Sequence, residues 1–278
     1  MFYFFIVFRS IPIILHSLGI YLMSTTTFTK PWQKIQRRYM IWLSLSEMFL
    51  CLSTIFYVLE KFFHLVEFRR FDILLLCLFG AQFCSVLTSM TIDRMAFVWL
   101  NVRYNCAVGG KIFIAISISS QLVTVGILAG FYYFVKHQNG DFYAFQTLYL
   151  WPVVDLCILV TFVSCYIIIV KTISDRSKSL FGAESKLYRK RMRKTILVPS
   201  LIIWTYIVCF SSMNAVHFGF ALSKSPAPFW VASLANAFYA MGFNLDALLY
   251  IFLTPAIRKR LKRKFCCFFR SRQLDTNP

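Results

Sequence analysis

The sequence predicts an all-α membrane protein, a seven-transmembrane helix bundle followed by one short amphipathic helix. The chain is 59% hydrophobic and 15% charged, whereas soluble domains carry about a quarter charged residues. Its apolar residues gather in seven runs of about 20 residues or more, the length that an α-helix needs to cross a bilayer. Because open strands leave backbone groups without hydrogen-bond partners in hydrocarbon, each run is predicted to be a helix.

These runs define the spans and divide the chain into two parts. We expect spans at 2–24, 39–59, 71–98, 112–135, 148–171, 195–219 and 228–253. Residues 1–253 would form the bundle, and residues 254–278 the eighth helix with a short tail. The first run is expected to be a span and not a cleaved leader, because it lacks a basic segment before it and a small-residue cleavage site.

The positive charges predict an orientation. Of the 30 Lys and Arg residues, 23 lie in 25–38, 99–111, 171–194 and the tail after 253, and 5 lie in the other connecting segments. Loops rich in positive charge stay in the cytoplasm. We therefore expect a multi-pass plasma-membrane protein with its N-terminus outside and its C-terminus in the cytoplasm. The clustering of the bases between apolar runs indicates contact with anionic inner-leaflet lipids and not with nucleic acid.

The third run closes on an Asp-Arg pair. Asp93 and Arg94 are followed at set distances by Val98, Val102 and Tyr104. This segment resembles the Asp-Arg-Tyr motif of rhodopsin-like G-protein-coupled receptors and its Pro-Leu-x-Tyr ending. In that family the arginine holds the inactive state and then meets the G protein. The simpler alternative is a boundary anchor whose charge snorkels to the interface.

Two further segments carry the same resemblance. Asp246 and Tyr250 match the family's Asn/Asp-Pro-x-x-Tyr pattern, with Ala247 in place of proline and Asn244 two residues before. Glu47 ends a Leu-Ser-Leu-Ser-Glu string that is similar to the family's Leu-Ala-x-Ala-Asp segment. The resemblance implies that Glu47 and Asp246 face each other and, with Asn244, form a buried site for a sodium ion or a proton. Helix glue is the alternative role of Asp246.

Several family positions hold other residues here. Met95 and Asn101 replace the tyrosine and the proline of the Asp-Arg segment, and Phe83 and Ile20 replace two polar residues of the sodium site. The sixth span lacks the Cys-Trp-x-Pro pattern. In many members of the family, an acidic residue at the inner end of the sixth span holds the arginine of the third span. This chain has Arg189 at that position, so the sequence predicts that Arg94 is repelled there.

The segment after the seventh run predicts an eighth helix. Thr254 can cap a helix and Pro255 suits its first turn. Ile257 and Leu261 begin an apolar stripe at helical spacing among Lys and Arg residues, which predicts a basic amphipathic helix at the cytoplasmic face. The candidate palmitoylation sites are Cys266 and Cys267.

The resemblance implies a receptor that activates a heterotrimeric G protein when a small or lipid-like ligand binds. The implied G-protein switch residues are Asp93, Arg94, Tyr104, Tyr166 and Tyr250. The residues expected at the ligand pocket are Leu76, Cys77, Gly80 and Asn236. No enzyme activity, metal or cofactor is expected, because the histidines show no metal spacing and the sequence shows no nucleophile motif or phosphate loop.

Two other functions stay open. A transporter or channel is one, with Asp155 in the fifth span as the best indication of a polar pathway. Transporters usually show internal repeats and broken helices, which the sequence does not show. A decoy receptor that binds without signalling is the other, since the sixth span lacks its usual motif.

Overall fold

The computed structural model describes residues 2–28, 31–63, 69–100, 106–138, 150–180, 182–223, 228–254 and 256–263. Within these ranges all regular structure is helical, which confirms the predicted all-α class. The long helices are α1 (Phe2–Thr25), α2 (Pro31–Phe63), α3 (Arg69–Leu100), α4 (Cys106–Gln138), α5 (Trp151–Lys178), α6 and α7 (Phe229–Leu253). Helix α6 has three consecutive segments, Gly182–Thr205, a π-helical stretch at Tyr206–Ser211, and Ser212–Leu222. A short helix, α8 (Ala256–Arg263), follows α7.

Six helices contain a stretch long and apolar enough to cross a membrane. These stretches are Ile6–Thr25, Gln33–Phe56, Cys77–Leu100, Gly110–Ile127, Trp151–Lys178 and Ser200–Phe220. A seventh candidate is a bent pair, Ala237–Leu253 with Ala256–Arg263, whose two parts meet at 77°. By length and composition, the described part of the chain is thus a membrane-embedded helical protein with six or seven spans.

The helices run further than the predicted spans where the sequence becomes basic. Helix α5 continues to Lys178 and α6 already begins at Gly182, so the prediction of a loop at 171–194 was wrong for most of that segment. Hydropathy marks only the part of a helix that meets hydrocarbon, whereas Lys and Arg are good helix formers in water. Gly182 has a φ of +54° at the turn between the two helices, a backbone conformation that favours glycine.

Helix α3 is central. It packs against α2, α4, α5 and α6, and contacts of α1 and α6 with α7 close the bundle around it. Helix α4 is the most peripheral, since no residue of Gly110–Ile127 is buried and Ile114, Ile118 and Leu122 are exposed there. In a membrane-embedded protein such an apolar face contacts lipid.

We call the end at which α3, α5 and α7 finish and α6 begins the basic end. Exposed cationic side chains gather there, namely Lys178, Lys186, Lys190, Arg193, Arg258, Lys259, Lys262 and Arg263. Helix α8 lies at this end and is amphipathic in its described part. Its Ile257 is fully buried and Leu261 packs on the main apolar core, while four of its bases stay exposed.

Candidate functional site

An ion pair between adjacent residues is buried where α3 approaches the basic end. Arg94 donates from Nη2 to Asp93 Oδ2 at 2.7 Å. The Asp93 side chain is 0% exposed and that of Arg94 is 2% exposed. The guanidinium lies 5.8 Å from the centroid of the Phe97 ring, and Tyr39 of α2 interacts electrostatically with both charges. The two charges are thus held together and hidden from solvent.

Polar contacts join three helices at the same end. Arg176 of α5 donates to the backbone carbonyl of Trp99 at 2.6 Å. That carbonyl belongs to the last turn of α3, where carbonyls have no intrahelical partner and a cation is favourable. The Ser177 hydroxyl of α5 accepts a hydrogen bond from Arg189 of α6 at 2.8 Å. The Ser185 hydroxyl of α6 donates to the backbone carbonyl of Ser177, also at 2.8 Å. These contacts tie the end of α5 to both α3 and α6.

A small apolar cluster closes the space between these helices. Val98, Ile169 and Met192, from α3, α5 and α6, are buried against one another and form what we call the basic-end cluster. The guanidinium of Arg189 is directed to Ser177 on α5. The sequence placed Arg189 opposite Arg94, whereas the structure gives it a hydrogen bond to a different helix.

A second group of buried polar residues lies between α1, α2 and α7. Nε2 of His16 is 2.6 Å from Glu47 Oε2 and 3.0 Å from the carbonyl oxygen of Phe243. The carboxyl groups of Glu47 and Asp246 interact electrostatically. The ring of Tyr250 lies 6.5 Å from that of His16. We call His16, Glu47, Asp246 and Tyr250 the polar core; the side chains of all four are fully buried.

The polar core holds two carboxyl groups that are closed off from solvent. Burial of two negative charges close to each other is costly unless they are paired or protonated. Among the described residues, several buried atoms of the polar core lack a hydrogen-bond partner, namely His16 Nδ1, Glu47 Oε1, both carboxyl oxygens of Asp246 and the Tyr250 hydroxyl. Buried polar atoms are usually satisfied by protein or water, so the site is polar enough to take small polar species. Among the described residues, no three His, Cys, Asp or Glu side chains are arranged to hold a metal ion.

A third polar group links α5, α6 and α7 towards the end opposite the basic end. Asp155 accepts hydrogen bonds from the hydroxyl of Tyr206 and from Nδ2 of Asn214, the latter at 2.8 Å. Tyr239 donates from its hydroxyl to Asn214 Oδ1 at 2.6 Å. We call these four residues the clamp. One carboxylate of α5 therefore holds two positions of α6, and α7 is joined through the second of them.

Aromatic side chains fill the space between the clamp and the polar core. The ring centroid of Phe210 is 5.3 Å from that of Phe83 and 4.9 Å from that of Phe243. Tyr206 stacks on Phe210 at 5.8 Å. Phe83 packs within an aromatic layer, against Tyr206, Phe210 and Phe243.

Helix α1 contributes a second buried ionisable residue. Arg9 is 3% exposed and its guanidinium lies 5.9 Å from the centroid of the Phe243 ring. It interacts electrostatically with Cys51 of α2 and with Tyr239 of the clamp. Ionisable residues inside membrane spans are costly and usually functional, so α1 takes part in the polar interior through both Arg9 and His16.

The other predicted site residues are placed as follows. Tyr166 is 53% exposed on the outer surface of α5, away from the Asp93–Arg94 pair that it was expected to join. Cys77 and Gly80 are buried, and Gly80 lies under the ring of Trp151, whose Cη2 would be 2.6 Å from an added Cβ. Tyr104, Cys266 and Cys267, and the side chains of Leu76 and Asn236, lie outside the described residues.

The sequence predicted that Glu47 and Asp246 face each other, but it assigned Tyr250 to the G-protein switch, whereas the structure places Tyr250 beside His16 in the polar core. It did not single out His16 or three members of the clamp. A histidine within an apolar run was the available signal for His16, because a buried imidazole needs a polar partner. Asp155 had been considered only as a hint of a polar pathway. Its partner Asn214 is 59 residues away in the chain, so spacing could not join them.

The chain matches no known protein-family model and no curated protein.

Proposed function

We propose that this chain is a ligand-activated receptor that resembles the rhodopsin-like class and promotes nucleotide exchange on a heterotrimeric G protein at the plasma membrane. The observation that carries the proposal is the buried Asp93–Arg94 pair at the basic end of the central helix. In this reading, the basic end faces the cytoplasm, as the distribution of Lys and Arg predicts.

The burial of the pair favours a switch over a membrane anchor. An anchoring arginine extends its charge into water or headgroups, whereas Arg94 is almost fully buried. Two of its donor atoms, Nε and Nη1, have no hydrogen-bond partner among the described residues. A buried cation with unused donors is a costly arrangement. Opening of the basic-end cluster would release that cost by offering Arg94 to a partner.

In this proposal, the contacts around the pair would stabilise the closed state of the receptor. The basic-end cluster and the bonds of Arg176 and Ser177 hold α3, α5 and α6 together. A ligand that binds the opposite half more tightly in an open state would shift this equilibrium. The clamp, Cys77 and Gly80 lie in that half, where a small or lipid-like ligand would enter the bundle.

Helix α8 would lie against the inner leaflet. Its exposed Arg258, Lys259, Lys262 and Arg263 suit anionic lipid headgroups. Acyl chains on Cys266 and Cys267 would anchor the tail just after it. One acyl chain alone binds a membrane only marginally, so the bases and the lipid would act together.

The test compares Arg94→Ala with Arg38→Ala, which removes an exposed arginine from α2. Each is reconstituted in nanodiscs with purified G proteins of each subfamily, and nucleotide exchange is measured at equal receptor amounts. We expect exchange with the wild type and Arg38→Ala, and its loss with Arg94→Ala. Equal exchange with both variants would make Arg94 an anchor. A folded wild type that activates no G protein, alone or across a ligand library, would favour a decoy.

A transporter is the second candidate, and the ionisable groups buried within the spans are the observation that favours it. Arg9, His16, Glu47 and Asp246 lie on three helices in the interior of the bundle, and such groups mark ion and proton pathways in transporters. Liposomes that contain the chain and a pH-sensitive dye distinguish the two functions. Proton flux that Glu47→Gln abolishes and Arg94→Ala spares would favour transport.

A further inference from the structure

The middle of α6 departs from α-helical geometry. Over Tyr206–Ser211 the helix is π-helical, and the Ser212 N–H bonds to the carbonyl of Ile207, five residues back. The Ser212 hydroxyl bonds to the Val208 carbonyl in the same turn. A single π turn accommodates one residue more than an α turn and is frequent at functional sites. The π turn at the centre of α6 therefore contains one residue more than a regular α turn would.

The extra residue explains how one carboxylate reaches two positions of α6. Tyr206 and Asn214 are eight residues apart, and at about 100° per residue an α-helix would turn them about 80° away from each other. With one residue absorbed by the π turn, the angle falls to about 20° on the other side. Both side chains then share a face, and Asp155 accepts a hydrogen bond from each.

The π turn also has a matching surface on α7. A Cβ added to Gly242 would lie 2.6 Å from Cε2 of Phe210 and 3.0 Å from Cβ of Cys209. Because only glycine permits this approach, the side chains of the π turn settle against α7 at that point. The clamp and the glycine contact thus hold the turn from two sides.

We propose that α6 can adopt two registers, and that Asp155 is the latch that selects the π-helical one. Release of the latch lets the π turn relax to α geometry. Ser212–Leu222 then turns by about 100° and advances by about 1.5 Å relative to the first segment of α6. Asn214 leaves Asp155, and the link to Tyr239 of α7 is broken. The device belongs to the bundle itself and does not depend on a G-protein partner.

The test is a distance measurement between α5 and the outer segment of α6. Spin labels are attached at Val153 and Val216, both exposed, through genetically encoded azide side chains that leave the native cysteines unmodified. Pulsed electron resonance is recorded on the full chain in nanodiscs. A turn of about 100° on a cylinder of about 2.3 Å radius moves the Cα by about 3.5 Å, and the label by more.

The latch is opened by Asp155→Ala, and by Tyr206→Phe with Asn214→Ala as a milder route if the first variant does not fold. Asp175→Ala removes an exposed carboxylate from the same helix and is the matched control. We expect one distance for the wild type and the control. The latch variants should gain a second distance, which reports the displacement of the outer segment of α6.

Deletion of Val208, which is 49% exposed within the π turn, isolates the role of the extra residue. The deletion leaves Tyr206 and Asn214 seven residues apart, about 20° from the same face in a regular α-helix. We expect the wild-type distance, retained even when Asp155→Ala is added. A second distance in the combined variant, or a single unchanged distance in both latch variants, would overturn the proposal.

Discussion

Gly242→Ala is expected to destabilise the bundle, because the added methyl group has no space. The new Cβ would lie 2.6 Å from Cε2 and 2.9 Å from Cζ of Phe210, and 3.0 Å from Cβ of Cys209. Ordinary carbon contacts begin near about 3.5 Å, so the ring would have to move by about 1 Å. Phe210 is enclosed by other rings and cannot move freely, and Cβ of Cys209 moves only with the backbone of α6.

The magnitude follows from two opposing contributions. Overpacking of a well-filled core costs about 1–3 kcal/mol, and replacement of a helical glycine by alanine returns about 0.5–1 kcal/mol. The net loss is about 0–2.5 kcal/mol, which for a chain of this size lowers the melting temperature by up to about 10 °C. Thermal unfolding of the purified protein in detergent, followed by a thiol-reactive dye, measures it.

Two other glycines calibrate the result. Gly126 on α4 has no atom within 4 Å of an added Cβ, so Gly126→Ala should cause no loss. A Cβ added to Gly80 would lie 2.6 Å from Cη2, at the far end of the half-buried Trp151 ring. Gly80→Ala should therefore lower the stability less than Gly242→Ala does. Phe210→Leu removes the clashing atoms and should relieve part of the Gly242→Ala loss. Equal melting temperatures for Gly242→Ala and Gly126→Ala would refute the packing argument.

Three further predictions test the polar core, the orientation and the tail. His16→Ala removes the contact to Glu47 and should lower the free energy of unfolding by about 1–3 kcal/mol, measured by the same thermal assay. Ser17→Ala, at the exposed neighbouring residue, should be almost neutral. Equal losses for the two variants would contradict a role for His16. An epitope placed after Pro278 should bind antibody only in permeabilised cells, and labelling of intact cells would reverse the orientation. Hydroxylamine-sensitive palmitate is expected on Cys266, Cys267 or both. Equal label in the wild type and in the Cys266→Ser, Cys267→Ser double variant would exclude these sites.

The helices were predictable from the sequence because burial in lipid demands a simple pattern. Runs of about 20 apolar residues can only be helices in hydrocarbon, and each predicted span overlaps a helix of the structure. The ends were less predictable. Where a helix leaves the hydrocarbon, hydropathy falls but helix propensity does not, so the basic segment before Thr195 was taken for a loop although it continues α6.

The polar interior was predictable only in part. Glu47 and Asp246 could be joined because both lie in segments that resemble known motifs. His16 lies four residues before Ile20, the position where that resemblance expected the polar residue of α1, and one turn of helix keeps it on the same face. Helix α1 therefore contributes a polar side chain to the polar core one turn before the position that the resemblance singled out. A motif match at one fixed position could not find it.

The clamp could not be predicted for a different reason, which lies in the geometry of α6. Periodicity at 3.6 residues places Tyr206 and Asn214 on different faces, about 80° apart, so the sequence gives no reason to pair both with Asp155. The π turn changes that angle, and it is itself stabilised by tertiary contacts with α5 and α7. Local geometry and long-range contacts therefore depend on each other here.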